Sequence, residues 1–446
     1  MARDGVTLID PEQRADMRTG LRILLSAYAC EPHKGSEPGV GWHWAMALAR
    51  AGHEVCVLTR ANNQSAIESA LTEQPVPNLQ FAYYDLPAWS RWWKRRGHGV
   101  RLYYMLWQWG AYQLARRLCR ERRFDVVHHI TFGVFRHPTF MAFLDVPFVF
   151  GPVGGGETAP RSLRRTFPPR GYLIDLVRDI ANRAVRIDPL MTAVYRRAAA
   201  TVCRTDETLR CIPEKYRNKC RVQLEIGTDG DSSTPARRAE RKDGCFEVLY
   251  VGRLVYWKGV HLGLQAFAAF VATHGNARLT IIGNGPDERW LRRLAQRLGI
   301  ANHVTWIPRL EHALVMRGYS RHDAFLFPSL HDSGGTAVLE ALSRGLPVVC
   351  LNVGGPALLV DASCGFRVAA GQPDEVVAGL AQALGKLAHD PVLLQSMGEA
   401  AGRRAREQFS WARQVARMER VYRAVGAGPA VDSYGVPAPL EERGAG

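Results

Sequence analysis

"CFEVLYVGRLVYWKGVHLGLQAFAAFVATHGNARLTIIGNG" occupies residues 245 to 285. Residues 245–252 form an apolar run of strand length, rich in Val, Tyr and Phe. Residues 258–275 repeat apolar side chains at helical spacing and stop at Gly275. Residues 277–285 form a second strand that runs into a glycine loop. A strand, a helix and a second strand of these lengths predict a parallel pair with a crossover helix. The pattern continues through a helix at 287–299, strands at 303–308 and 323–329, and "HDSGGTAVLEALSRGLPVVCLNVGG" at 331–355. This predicts a doubly wound parallel sheet.

Working back towards the amino terminus, the alternation recurs. "LRILLSA" (21–27) reads as a strand, "EPHKGSEPGVGW" (31–42) as a loop with Gly35, Gly39 and Gly41, and 42–52 as a helix closed by Gly52. Strands follow at 53–60, 124–133 and 146–157. The chain is therefore expected to be α/β, with two Rossmann-like doubly wound domains facing across a cleft. The expected division is a tail (1–20), a first domain (21–227), a polar, turn-rich linker (228–244) and a second domain (245–405). A basic helix (406–425) is expected to pack back on the first domain, followed by a Gly/Pro-rich tail (426–446).

Composition bounds the function. The 446 residues carry a formal net charge of +16, which favours anionic partners: nucleic acid, phosphorylated small molecules or acidic lipid. Nine scattered cysteines without a C-x-x-C pair argue against zinc and for a reducing, cytoplasmic compartment. "RTGLRILLSAYAC" (18–30) has the outline of a secretion signal, but the glycine loop and helix after it favour a buried first strand. No run approaches the ~18 apolar residues of a membrane span.

The 331–355 stretch holds the chemistry. Gly334 and Gly335 precede a helix start without a bulky capping side chain, so its amides and dipole favour an anion. Thr336 and Glu340 share one helical face, and Asp332 lies on the loop before it. Amides for a phosphate and carboxylates for hydroxyls suit a phosphate joined to sugars. Arg253 and Lys258 flank the loop after the strand at 245–252. A forked donor and a point charge suit a diphosphate.

The combination G-R-L-x-x-x-K-G, I-G-N-G-P, and the acidic-x7-Glu-Ala stretch ending G-x-P-V resembles retaining glycosyltransferase family 4, whose fold is GT-B. In the first half, "ACEPHKGSEPGVGW", "FDVVHH" and "FGPVGGGE" resemble a bacterial polysaccharide branch of that family. The resemblance implies a sugar donor, UDP- or GDP-linked, used without a metal or other cofactor. It implies that Arg253 and Lys258 grip the diphosphate, that Glu340 binds the ribose diol, and that Gly252, Gly285 and Ser333–Thr336 (with Gly334 and Gly335) line the donor. Asp332 replaces the family's usual Glu, with a carboxylate one methylene shorter. The implied acceptor is a glycan or polyprenyl-linked glycan, and nucleic acid is not implied.

Several readings stay open at this stage. His128 and His129 end one strand, and alternation places one inward and one outward; His129 is the candidate for a sugar contact. Gly35, Ser36 and Glu37, and Gly154, Gly155, Gly156 and Glu157, are candidates for the acceptor side. "DGD" (229–231) matches a metal motif of another transferase fold but lacks the rest of a ligand set. Residues 89–123 combine five Trp with ten basic residues and read either as a core helix with a solvated face or as a patch for an anionic membrane. A hydrolase using Asp332 and Glu340, a sugar-nucleotide epimerase and a non-catalytic scaffold are the competing functions.

Overall fold

The computed structural model describes residues 20–87, 100–229 and 244–426. The proposed tails apart from residues 20 and 426, most of the linker with Gly230 and Asp231 of "DGD", and residues 89–99 of the aromatic segment lie outside the described residues.

Among the described residues, thirteen strands form two parallel sheets. The first has the order β3-β2-β1-β4-β5-β6-β7. Its strands are β1 (Arg22–Ser26), β2 (Glu54–Arg60), β3 (Leu79–Tyr84), β4 (Val126–His129), β5 (Phe148–Val153), β6 (Ala200–Cys203) and β7 (Cys220–Val222). The second has the order β10-β9-β8-β11-β12-β13. It comprises β8 (Phe246–Val251), β9 (Ala277–Ile282), β10 (Val304–Ile307), β11 (Ala324–Phe327), β12 (Val348–Leu351) and β13 (Gly365–Val368). Each order reverses once, between β1 and β4 and between β8 and β11. Such reversals open a crevice beyond the strands' carboxyl ends, where ligands of open α/β sheets bind.

Helices cover both faces of each sheet, so near-continuous apolar strands such as Ile23–Leu25 and Val348–Leu351 are fully buried. This corrects the expectation for the paired histidines. Alternation sends them to opposite faces, but neither face meets solvent. His128 turns to Tyr422 Oη at 2.7 Å. His129 turns to Ser26 Oγ at 3.1 Å and Tyr104 Oη at 3.2 Å.

The glycine stretch at 31–42 is also not wholly a loop. A helix already begins at Ser36 and runs to Arg50. Gly39 and Gly41 serve close packing: a Cβ on them would lie 2.0 Å from the Lys34 carbonyl oxygen and 2.1 Å from that of Ala29. Glycine here permits helix-to-loop contact, a use that looks identical to a turn in sequence.

The chain returns to the first domain at its end. Helix Pro391–Phe409 belongs to the second domain, and helix Trp411–Gly426 lies on the first. Between them, Thr228 exchanges backbone hydrogen bonds with Phe409 and Trp411, at 2.9 and 3.1 Å. Trp411 packs edge-on against Trp44, and Glu419 meets His53 at 3.0 Å. The break falls at Ser410 rather than at 406, because no glycine or proline marks it.

Candidate active site

The loops after β8 and β9 touch. Gly252 N donates to the Ile282 carbonyl at 3.0 Å, and a Cβ on Gly283 would lie 2.0 Å from the Gly252 oxygen. Gly285, after β9, meets the loop after β8 in the same way, its added Cβ falling 2.1 Å from the Leu254 oxygen. Arg253 is exposed on this double loop. Gly259 (φ 64°) then caps helix Val260–His274, and its Cα sits so close to the Pro328 carbonyl that a side chain would overlap it. That approach sets Lys258 beside the end of β11.

There Lys258 Nζ pairs with Asp332 Oδ2 and lies 5.0 Å from the centre of the Phe327 ring. Burial pushes the Asp332 carboxyl up, but Lys258, the Gly334 amide and His331 outweigh it and hold it below the usual range. The Asp332 carbonyl accepts from Gly355 N at 2.7 Å, which ties the loop to helix Gly354–Leu359. Gly335 (φ 77°) caps helix Thr336–Ser343 without any side-chain hydrogen bond. One turn in, Glu340 accepts from His312 Nε2 at 2.9 Å and from Tyr319 Oη at 3.0 Å. The hydrogen bond to Glu340 raises the His312 pKa against a smaller opposing effect of burial.

Across from this helix start lies another. Gly35 caps helix Ser36–Arg50, again without a side-chain hydrogen bond. Gly35, Ser36, Thr336, His312 and Glu340 line one cavity of about 190 Å³ between the domains. Two amide-rich helix ends thus share one space, which favours an anionic guest.

Other candidates stand elsewhere. Glu37 accepts from Phe132 N at 2.6 Å and stays half-buried. Glu157 is 2% exposed, so it cannot line an acceptor surface. Its oxygens accept from Gly155 N at 2.9 Å and from the Thr205 and Thr208 hydroxyls at 2.6 and 2.7 Å. It supports the glycine loop from beneath. Gly156 is buried against Thr208, while Gly154 approaches Ser333 of the other domain. His129 is 1% exposed, and burial pushes its pKa down to about 3, so no sugar contact reaches it here.

Sequence reasoning missed the residues that join the domains. Arg204, at the carboxyl end of β6, donates to Ser333 Oγ at 3.3 Å, pairs with Glu225 at 3.1 Å and donates to the Pro152 carbonyl at 3.1 Å. Asp175, 1% exposed, meets His331 Nε2 at 3.3 Å and accepts from Tyr256 Oη at 3.4 Å. An arginine directly after a strand was the available signal for Arg204. Asp175 had none.

Two parallel Rossmann-like domains, with their switch-point loops facing one cavity, define the GT-B class, and the structural neighbours are GT-B glycosyltransferases. Within that class, residues 233–404 match the family described as Glycosyl transferases group 1. Glycogen synthase from Mycobacterium tuberculosis (strain ATCC 25618 / H37Rv) is 33% identical over 187 residues, covering 42% of this chain and 44% of that protein. D-inositol 3-phosphate glycosyltransferase from Acidothermus cellulolyticus is 34% identical over 213 residues, covering 45% and 46%. The chain thus spans less than half the length of these curated relatives. Sucrose-phosphate synthase from Thermosynechococcus elongatus superposes with a TM-score of 0.63 at 17% identity, covering 91% of this chain and 99% of that one. Anabaena HepE in complex with UDP and glucose gives 0.57 at 16% identity, covering 90% and 99%. These superpositions speak to the fold alone.

Proposed function

We propose that this protein transfers a glycosyl group from a nucleoside-diphosphate sugar to a hydroxyl of a glycan or lipid-linked glycan, with retention at the anomeric carbon. The observation that carries the reading is the cavity lined by Thr336, Glu340, Gly35 and Ser36, with the Lys258–Asp332 pair at the loop that leads into helix Thr336–Ser343 rather than on the cavity wall. In this reading Arg253, Lys258 and the Gly334–Thr336 amides hold the diphosphate, with Gly252, Gly285 and Ser333 close around it. Glu340 takes the ribose hydroxyls. An ammonium has three donors, so Lys258 serves Asp332 and a phosphate oxygen together.

The anomeric C–O bond to phosphate breaks and the acceptor oxygen bonds to the same face. The acceptor's proton passes to the departing phosphate oxygen. The leaving diphosphate gains negative charge, which preorganised cations and amides stabilise, so the proposed reaction requires neither metal nor separate strong base. The burial of His129 and Glu157 accords with a scheme that uses no such base. A carboxylate-pair hydrolase using Asp332 and Glu340 is disfavoured, because it leaves Arg253, Lys258 and the glycine amides without a role. The proposed setting is the cytoplasmic side of a bacterial membrane, in cell-surface polysaccharide synthesis. No helix among the described residues is long and apolar enough to cross a membrane.

Incubation with a panel of UDP-, GDP- and ADP-sugars and a glycan acceptor tests the reading. Release of nucleotide with an α- or β-product matching the donor is expected. Turnover with inverted product would overturn retention, and no turnover with any donor would overturn transfer.

A further inference from the structure

Helix Pro169–Ala184 of the first domain is inside out. Its inward face is Gly171, Asp175, Arg178 and Asn182, spaced at helical repeats. Gly171 lies flat on the Tyr256 ring, and Asp175 takes Tyr256 and His331 of the second domain. Arg178 donates to the Gly155 and Glu157 carbonyls, and Asn182 Nδ2 donates to the Gly155 carbonyl at 3.2 Å. The outward face is apolar: Tyr172, Leu173, Ile174, Leu176, Val177 and Ile180 are each between 43% and 60% exposed. A surface helix of a globular protein ordinarily has the reverse pattern.

The charges around this face have one sign. Arg170, Arg183 and Arg186 are exposed at its two ends, and Arg161 and Arg165 on the turn before it. Its two acids are turned inward, Asp175 at 1% side-chain exposure and Asp179 at 15% in an ion pair with Arg164. An apolar stripe bracketed by cations fits a headgroup boundary, with side chains among acyl chains and guanidinium groups on anionic phosphates. A second copy fits poorly, since antiparallel pairing of this helix with itself sets arginines against arginines.

We propose that the outward face of helix Pro169–Ala184 is a docking surface for an anionic lipid bilayer. Its inward face braces the Gly155 loop and the His331–Asp332 turn, so docking sets the proposed transfer site beside the lipid surface. The choice of a lipid-linked acceptor rests on the proposed function; binding to the bilayer does not.

The test is flotation of the full chain with phosphatidylcholine vesicles, with and without phosphatidylglycerol, at low and high salt. The wild type should float with the anionic vesicles, less so at high salt and not with the neutral ones. Leu173→Glu combined with Val177→Glu should weaken that partition by about tenfold or more while leaving donor turnover on a water-soluble acceptor unchanged. Both positions are exposed, and an unaltered melting temperature verifies folding. Failure of the wild type to float, equal flotation of the double variant, or a dimer in light scattering that the double substitution dissolves would each overturn the proposal. Flotation without turnover would overturn the proposed function and leave the docking surface standing.

Discussion

Lys258 and Asp332 join the loops that follow β8 and β11, the two strands flanking the switch point of the second sheet. Both side chains are less than one-fifth exposed. Asp332→Asn therefore costs more than an exposed pair and less than a sealed one, about 2 kcal/mol. The carboxyl titrates below its unfolded value, so the pair contributes fully above about pH 4 and is lost as pH falls through the folded value. Urea melts from pH 3 to 7 should show the difference between wild type and variant shrinking only at the acid end.

His312 reports on Glu340. Its pKa is raised, chiefly by the hydrogen bond to Glu340, so its contribution to stability is complete below about pH 6.5 and fades as pH rises through the higher folded value. Glu340→Gln should return the ring's titration, followed by NMR, towards the ordinary value. The same change should raise KM for the donor by about tenfold or more, as expected when a hydrogen bond to a charged group is lost.

Arg204 ties the domains through Ser333 and pairs with Glu225 of its own domain, and the surrounding carboxylates raise its pKa despite burial, the largest single effect, which opposes them. Arg204→Ala should cost about 3 kcal/mol, because Glu225, 5% exposed, loses its cation. Replacing both partners with Met should cost much less than the two single changes summed. Additive losses in such a cycle, read from denaturation midpoints, would mean the two residues act independently.

Gly259 and Gly335 both have positive φ, but their surroundings differ. A Cβ at Gly335 would meet Leu359 Cδ1 at 3.1 Å, a contact a side chain can relax, whereas one at Gly259 would overlap the Pro328 backbone. Gly335→Ala should cost about 1 kcal/mol and Gly259→Ala about 3 kcal/mol or more, compared by urea denaturation.

The second domain was the more legible half. From β8 to β12 each strand is an apolar run bounded by Gly, Pro or Asn, and the helices between carry clear periods. β3, β6, β7 and β13 escaped because they are short or half polar, as in Leu79–Tyr84 and Cys220–Val222. In the proposed site, Lys258, Asp332, Thr336 and Glu340 lie on or beside loops that glycines and strand ends mark in the sequence. His129 and Glu157 were misjudged because a polar residue after a strand looks the same whether it faces a cleft or supports a turn from inside. Arg204 and Asp175 act between domains, and local patterns carry no record of such contacts.

In the proposed function the loops around Arg253 and Lys258 hold a nucleoside diphosphate. Titration calorimetry of the wild type with UDP, GDP and ADP, repeated on Arg253→Ala and Lys258→Ala, tests it most directly. At least one nucleotide should bind, each variant should weaken that binding by about tenfold or more, and kcat should fall by about 10²-fold. Arg253→Ala is the cleaner variant, because Arg253 is exposed while Lys258 also neutralises Asp332. Undiminished affinity in a folded Arg253→Ala protein, or no binding of any of the three nucleotides to the wild type, would contradict the account.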